Sequence, residues 1–276
     1  MSSGPATKDR TPVEVRLRRV WVRSWPPLLG LALFLLGWQV LYLAEWRPSY
    51  VFPPPSQVFA SLGEFFADPT FWRALGTTLT RGVLGFGLAL LIGTVLGVAL
   101  SRSRVLRSAV GSLLTGLQTM PSIAWFPFAI LLYGPTEQAI LFVVILGAVP
   151  SIANGLISGI DDVPPALVRT AYTLGARGMA MYRYVIVPAA LPTYVAGLKQ
   201  GWAFAWRSLM AGELLVIIAA RPSLGVQMTF FREFADTASL LATMVVILVI
   251  GMLVDGVLSK VSNRVRVKRG LGAVRL

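Results

Sequence analysis

The sequence predicts an all-α membrane protein with six transmembrane helices and both termini on the cytoplasmic side. Three observations carry that expectation. Only 13% of residues are charged, against about 25% in soluble domains, and the mean hydropathy is +0.71. Several apolar runs are too long for core helices and too poorly amphipathic for surface ones. Lys and Arg are also distributed unevenly between alternate loops.

Six segments supply the spans. Leu28–Ala44 is apolar apart from Gln39. Leu79–Leu100 holds one charge, Arg81, at its edge, and would be about 33 Å long as a helix, enough for a hydrocarbon core of about 30 Å. Val110–Tyr133 is broken by Pro121 and Pro127, and Gln138–Ile160 is interrupted by Pro150. Leu191–Ile218 carries Lys199, Arg207 and Glu213. Leu240–Leu258 has one acid, Asp255, near its end.

Alternating these spans from an inner N-terminus puts most basic residues on one side. The inside receives Lys8, Arg10, Arg16, Arg18, Arg19 and Arg23, then Arg102, Arg104 and Arg107, then Arg169, Arg177 and Arg183, and finally the basic tail from Lys260 to Arg275. The outside keeps Arg47, Arg73, Arg221 and Arg232 among six acids. This asymmetry sets the orientation and accounts for the net charge of +13 without nucleic acid. The expected organisation is a basic leader at 1–25, a membrane domain at 26–260 containing a cytoplasmic loop at 161–192, and a basic tail at 261–276. Leu28–Ala44 exceeds a signal-peptide core of about 7–15 residues and lacks an A-x-A site, so it reads as a retained helix. Residues before about Thr11 read as a disordered leader. Between the first two spans, Pro53-Pro54-Pro55 favours extended backbone, and Val58–Phe66 then forms a short interfacial helix seated by Phe59, Phe65, Phe66, Phe71 and Trp72.

The chain has no Cys and no His. Thiolate zinc sites, disulfides and His-based triads are therefore excluded, and the acids are too scattered for an all-oxygen metal site. No Lys follows a Gly, so the chain has no P-loop.

The loop after the fourth span is the most informative stretch. Asp161-Asp162-Val163-Pro164-Pro165 followed by Ala166–Gly175 has the grammar of a short helix: acids near the N-terminal dipole, prolines in the first turn, and Gly175 placed to end it. Leu167, Ala171 and Leu174 give it a small apolar stripe. A helix this short needs a surface to pack on, either its own spans or another subunit.

Nine residues after Gly175 come Val185-Ile186-Val187-Pro188. The pattern resembles the EAA loop of binding-protein-dependent (type I) ABC importer permeases: E-A-A, three residues, Gly, nine residues, I-x-L-P. Arg169, Thr170 and Ala171 occupy the triplet, Gly175 the glycine, and Val185, Val187 and Pro188 the closing element. Arg169 stands where the family has glutamate, a reversal of charge. The similarity extends from about Pro53 to about Arg269. Within the family it is nearest the sulfonate, nitrate and taurine permeases, through Met120–Pro127, Trp206–Leu214 and Pro53–Ser56.

The resemblance implies the type I permease fold in a multi-pass protein of the bacterial cell membrane. Two copies would pair, two cytoplasmic ATPases would dock on 161–192 and bind the ATP, and an extracytoplasmic binding protein would deliver the solute. No cofactor is expected on this chain, and it is not expected to be an enzyme. An anionic solute is implied: aliphatic sulfonate first, then taurine or nitrate. A stand-alone secondary transporter or channel is the competing class; it would need neither the ATPase nor the loop.

Charges and prolines inside spans are the remaining candidates. A charge at mid-membrane costs about 2.5–3.5 kcal/mol on insertion scales and usually faces protein or water. Arg207 and Glu213 are six residues apart on different helix faces, so each reads either as a pathway residue or as half of an inter-helix ion pair. Met120 and Pro121 mark a break of the kind that borders pathways. Gly93 and Gly97 suit close helix packing.

Overall fold

A computed structural model describes residues 12–218 and 221–268. It is all-helical, with no strand among the described residues. Four of the expected spans are helices long and apolar enough to cross a membrane: α1 (Pro12–Leu43), α3 (Pro69–Arg102), α6 (Glu137–Asp161) and α11 (Thr237–Lys268). A fifth, α9 (Val187–Leu215), is equally long but carries the three charges noted above. The segment expected as one broken span consists of α4 (Arg104–Thr119), a 3₁₀ turn at Ser122–Trp125, and α5 (Phe126–Tyr133). Pro127 starts α5 instead of kinking it, and α6 runs unbroken through Pro150.

Several helices exceed the apolar runs that announce them. α1 continues through Pro26 and Pro27; the carbonyls those prolines leave unpaired, on Val22 and Arg23, fall at the expected membrane edge, where water can satisfy them. α11 continues into the basic tail as far as Lys268, because no proline or glycine interrupts it after Gly256. The leader before Pro12 and the tail beyond Lys268 lie outside the described residues. α3 begins at Pro69, where the Asp68 side chain accepts a 2.7 Å hydrogen bond from the Thr70 N–H and caps the first turn. α2 (Pro55–Ala67) is the expected outer helix, but it packs on α11 and not only on lipid. Phe65 stacks on Phe71 and Phe231, while Phe59, Phe66 and Trp72 remain exposed.

α6 forms the centre. Ile140, Val143, Val144, Ala148 and Ile152 are fully buried between α3 and α9. Small residues set how closely these helices approach. A Cβ on Gly155 would meet Gly197 Cα at 2.6 Å, so α6 and α9 cross backbone against backbone. On the other side, a Cβ on Gly93 would lie 2.8 Å from Ile152, and one on Gly97 would lie 3.1 Å from the Ala153 carbonyl. The Gly93–Gly97 pair thus seats α3 on α6. Lipid offers no hydrophobic drive for helix association, so this close packing is a main source of cohesion.

Polar cohesion comes from one buried node. Arg81, in α3, donates from Nε and Nη2 to the two oxygens of Glu137 (2.8 and 2.7 Å), and from Nη1 to Glu213 (2.9 Å). Glu213 is fully buried. It also accepts from the Thr78 hydroxyl and from the Gly225 N–H at 3.1 Å, and Thr78 in turn accepts from the Leu224 N–H. Leu224 and Gly225 open α10 (Leu224–Glu233), so a carboxylate sits at that helix's positive end. A Cβ on Gly225 would collide with Glu213. The node joins α3, α6, α9 and α10. A second pair, Lys199–Asp255 at 3.2 Å, links α9 to α11 and gives Lys199 a partner.

Two variants test this source of cohesion. Gly155→Leu should overpack the α6–α9 crossing by at least the usual 1–3 kcal/mol or so, and lower the thermal midpoint of the detergent-solubilised protein well below that of Gly87→Leu, whose position has nothing within 4 Å. Arg81→Met should cost about 3–5 kcal/mol by stranding Glu213, and should be more damaging than Glu213→Gln, which leaves Arg81 paired with Glu137. Size-exclusion melting curves read both.

Candidate functional site

Two regions collect the residues singled out by the sequence. The first surrounds the break between α4 and α5. Pro121 has no N–H and drives the preceding residue out of the helical region. Accordingly α4 ends at Thr119, and Met120 is extended (φ −78°, ψ 129°). The chain then turns through Ser122–Trp125 and restarts at Phe126. Facing α6 and α9, this bend leaves a cavity of about 390 Å³ whose walls include Gln118, Met120, Pro121, Trp125, Gly147 and Arg207. Three of the four expected pathway residues therefore meet here. Glu213 does not reach the cavity, being enclosed in the node with Arg81.

Arg207 is solvent-accessible and projects from α9 with its guanidinium 5.8 Å from the Phe204 ring centre. It forms no ion pair among the described residues. It also reaches the edge of a larger, mostly apolar groove of about 670 Å³ between α9, α10 and α11, whose walls include Met210, Met228, Met244 and Met252. The Gln118 amide donates to the Ser151 hydroxyl at 3.0 Å, tying α4 to α6. Nothing in the sequence hints that Trp125, Gly147 and Gln118 share this space: they lie on separate elements, and only the bend brings them together.

The second region is the loop at 161–192. Asp161 and Asp162 belong to the end of α6, not to the start of the loop helix. Asp161 closes α6 and pairs with Arg107 of α4, and Asp162 is the α6 C-cap. The loop helix itself, α7, is Pro165–Thr173, with Pro164 as its N-cap residue. Adjacent prolines force the chain to restart there, which leaves the acids on the preceding helix.

The end of α7 is built around Gly175. Its φ is +85°, a left-handed value. Its N–H donates to the Tyr172 carbonyl (3.1 Å), while the Ala176 N–H donates to Ala171 (2.9 Å). This pair of bonds is the Schellman termination, which closes the helix and reverses the chain. Ala171 is turned inward, while Arg169 and Thr170 are exposed. Of the apolar stripe only Ala171 turns in: Leu167 and Leu174 point outward, Leu174 at 82% exposure.

α7 packs chiefly on the short α8 (Met179–Met181) and on a π-helical turn at Tyr182–Ile186. Val185 lies in that turn, and Val187 and Pro188 begin α9. The closing motif thus joins the loop rigidly to the helix that carries Arg207. Met179, Tyr184 and Tyr172 add to the uncovered surface, at 73%, 72% and 56% exposure. The guanidinium of Arg177 lies 5.0 Å from the Tyr172 ring centre.

Known proteins resemble this chain in sequence and in fold. Residues 89–267 match the family described as the binding-protein-dependent transport system inner membrane component. The taurine transport system permease protein of Escherichia coli (strain K12) is 30% identical over 87% of this chain and 89% of its own length. The nitrate import permease protein of Synechocystis is 27% identical, covering 83% and 84%. The riboflavin transport system permease protein of Chloroflexus aurantiacus is 29% identical, covering 92% and 96%. In fold, the chain is similar to an inward-facing methionine ABC transporter (TM-score 0.60, 21% identity, 72% of this chain and 98% of that one). It is also similar to a bacterial alginate ABC transporter solved with its periplasmic protein (TM-score 0.57, 14% identity, 94% and 98%). This multi-pass membrane protein is a permease subunit of an ABC importer for small solutes, and belongs to the family of binding-protein-dependent transport system inner membrane components.

Proposed function

We propose that this permease imports a small anionic solute, an aliphatic sulfonate first and taurine or nitrate next, across the bacterial cell (inner) membrane. In this reading two copies of the chain form the pathway. Two cytoplasmic ATPases dock on residues 161–192 and hold all the ATP, and an extracytoplasmic binding protein delivers the solute. Both termini face the cytoplasm.

The observation that carries the coupling is the loop surface. Leu174, Met179 and Tyr184 stand almost free of their own chain, on a helix and turn locked by Gly175 and continuous with α9. Water-exposed apolar side chains on a rigid platform call for a protein partner. The orientation rests on the basic residues, which the positive-inside rule assigns to the same side as this loop. The sulfonate, taurine or nitrate assignment draws on the taurine and nitrate relatives and on the cation at Arg207.

Arg169 refines the docking. With Arg177 and Arg183 it makes the loop cationic, with no acid between Val163 and Val187. An ATPase suited to this loop carries acidic residues in its groove.

Tagged permease should co-purify a P-loop ATPase. Gly175→Val forces a β-branched residue to φ +85°, a strain of about 1–2 kcal/mol, and should cut ATPase recovery and ATP-dependent uptake about 5–30-fold while the permease still reaches the membrane. Full uptake with no ATPase bound would instead identify a secondary transporter or channel.

A further inference from the structure

The cavity at the α4–α5 break holds more polar capacity than its own chain uses. Arg207 contributes a cation with no carboxylate partner among the described residues. The Trp125 indole Nε1 is shielded from solvent and has no acceptor. An indole N–H can only donate, so burying it unpaired is unfavourable. The Ser208 hydroxyl is likewise fully buried and unpartnered. It lies 2.7 Å from the point a Cβ on Gly147 would occupy, and Ser122 Cβ lies 3.8 Å from the same point. Gly147 is itself a wall of the cavity, whereas Ser208 packs against Gly147 and is not part of that wall.

A cation without a counter-ion and a wall tryptophan with an unpaired N–H donor around one cavity describe a site lacking an acceptor-rich anion. Met120 and Leu146 add apolar side chains to its walls. Its volume of about 390 Å³ is near the lower end for small-molecule sites, about 300–1,000 Å³.

We propose that this cavity is an oxyanion-headgroup site within the permease itself: Arg207 holds the headgroup, the Trp125 N–H adds a hydrogen bond to it, and a short apolar tail lies on Met120 and Leu146. The inference rests on the importer reading and deepens it, because it makes the membrane subunit a second selectivity filter after the binding protein. A guanidinium suits a planar or tetrahedral oxyanion through paired N–H donors, which an ammonium cannot reproduce in full. The broken backbone beside the site is the kind of irregularity that membranes tolerate only around a cavity.

The test uses the permease purified with its ATPase in nanodiscs, so that the importer reading is established in the same preparation. Equilibrium dialysis against ³⁵S-labelled ethanesulfonate should show saturable binding, displaced by nitrate and not by riboflavin, which is uncharged. Arg207→Gln should weaken binding at least 10-fold, Arg207→Lys should stay within about 3-fold, and Trp125→Phe, which keeps the ring and removes the N–H, should weaken it about 3–10-fold. Recovery of the ATPase with each variant shows that the permease is folded. A complex that forms but binds no ethanesulfonate, or that binds it equally well as Arg207→Gln, overturns the headgroup site and leaves the importer standing. Failure of the wild-type permease to bring down an ATPase overturns the importer reading instead.

Discussion

An arginine buried in a membrane protein has to be neutralised by its own fold, and Arg81 meets that demand with two carboxylates from two other helices. Glu137 starts α6 and Glu213 sits near the end of α9, so satisfying Arg81 brings three long helices together at one level. The spare acceptor capacity of Glu213 then caps α10, the short helix that returns the chain to α11. A charge in this environment is expensive alone and tolerable only in company. The node is therefore less a source of net stability than a specifier of arrangement, because helices slid along one another would strand a charge. The glycine crossings of α6 with α3 and α9 act in the same direction, since backbone-to-backbone contact exists in only one register.

With those helices fixed, the movable parts of the molecule are distinguishable from the rigid ones. α6 is enclosed and offers little freedom. α9, by contrast, begins in the loop at 161–192, passes the cavity with Arg207, and ends at the node. The π turn that joins it to the loop is a departure from α-helical geometry of the kind found at functional sites. A partner that pulls on α7 therefore acts on the same helix that presents Arg207. Under the proposed function, this is the physical route from an ATPase docked on the loop to the cavity, with α9 as the element to be biased.

Much of this was legible in the sequence. Apolar runs placed five long helices, although α1, α3 and α11 extend well beyond the runs that announce them, and Pro121 located the break. Gly175 was placed as a helix terminator from spacing alone, and its left-handed backbone and paired hydrogen bonds are the reason a glycine is needed there. Three features were not legible. Arg81 is one charge at the edge of an apolar run, and its partners are 56 and 132 residues away, beyond any periodicity. Asp161 and Asp162 read as the start of α7 because acids favour helix N-termini, yet a tertiary contact with Arg107 keeps Asp161 on α6. Whether the stripe Leu167–Ala171–Leu174 packs on its own spans or on another subunit stood open from the sequence; in the fold only Ala171 turns in, and Leu167 and Leu174 stay exposed.

The central claim is that the power source docks on the loop at 161–192 of a chain that has none of its own. The absence of cysteine makes a direct measurement clean. Thr170→Cys, exposed on α7, is the sole thiol of the permease. A short thiol–amine cross-linker applied to membranes from cells expressing the whole transporter should join it to one partner carrying a P-loop, with a yield that changes when ATP is added. Thr119→Cys, at the α4 break, should not reach that partner. Cross-linking that never yields an ATPase from position 170, in membranes that import solute at the expense of ATP, would contradict the account.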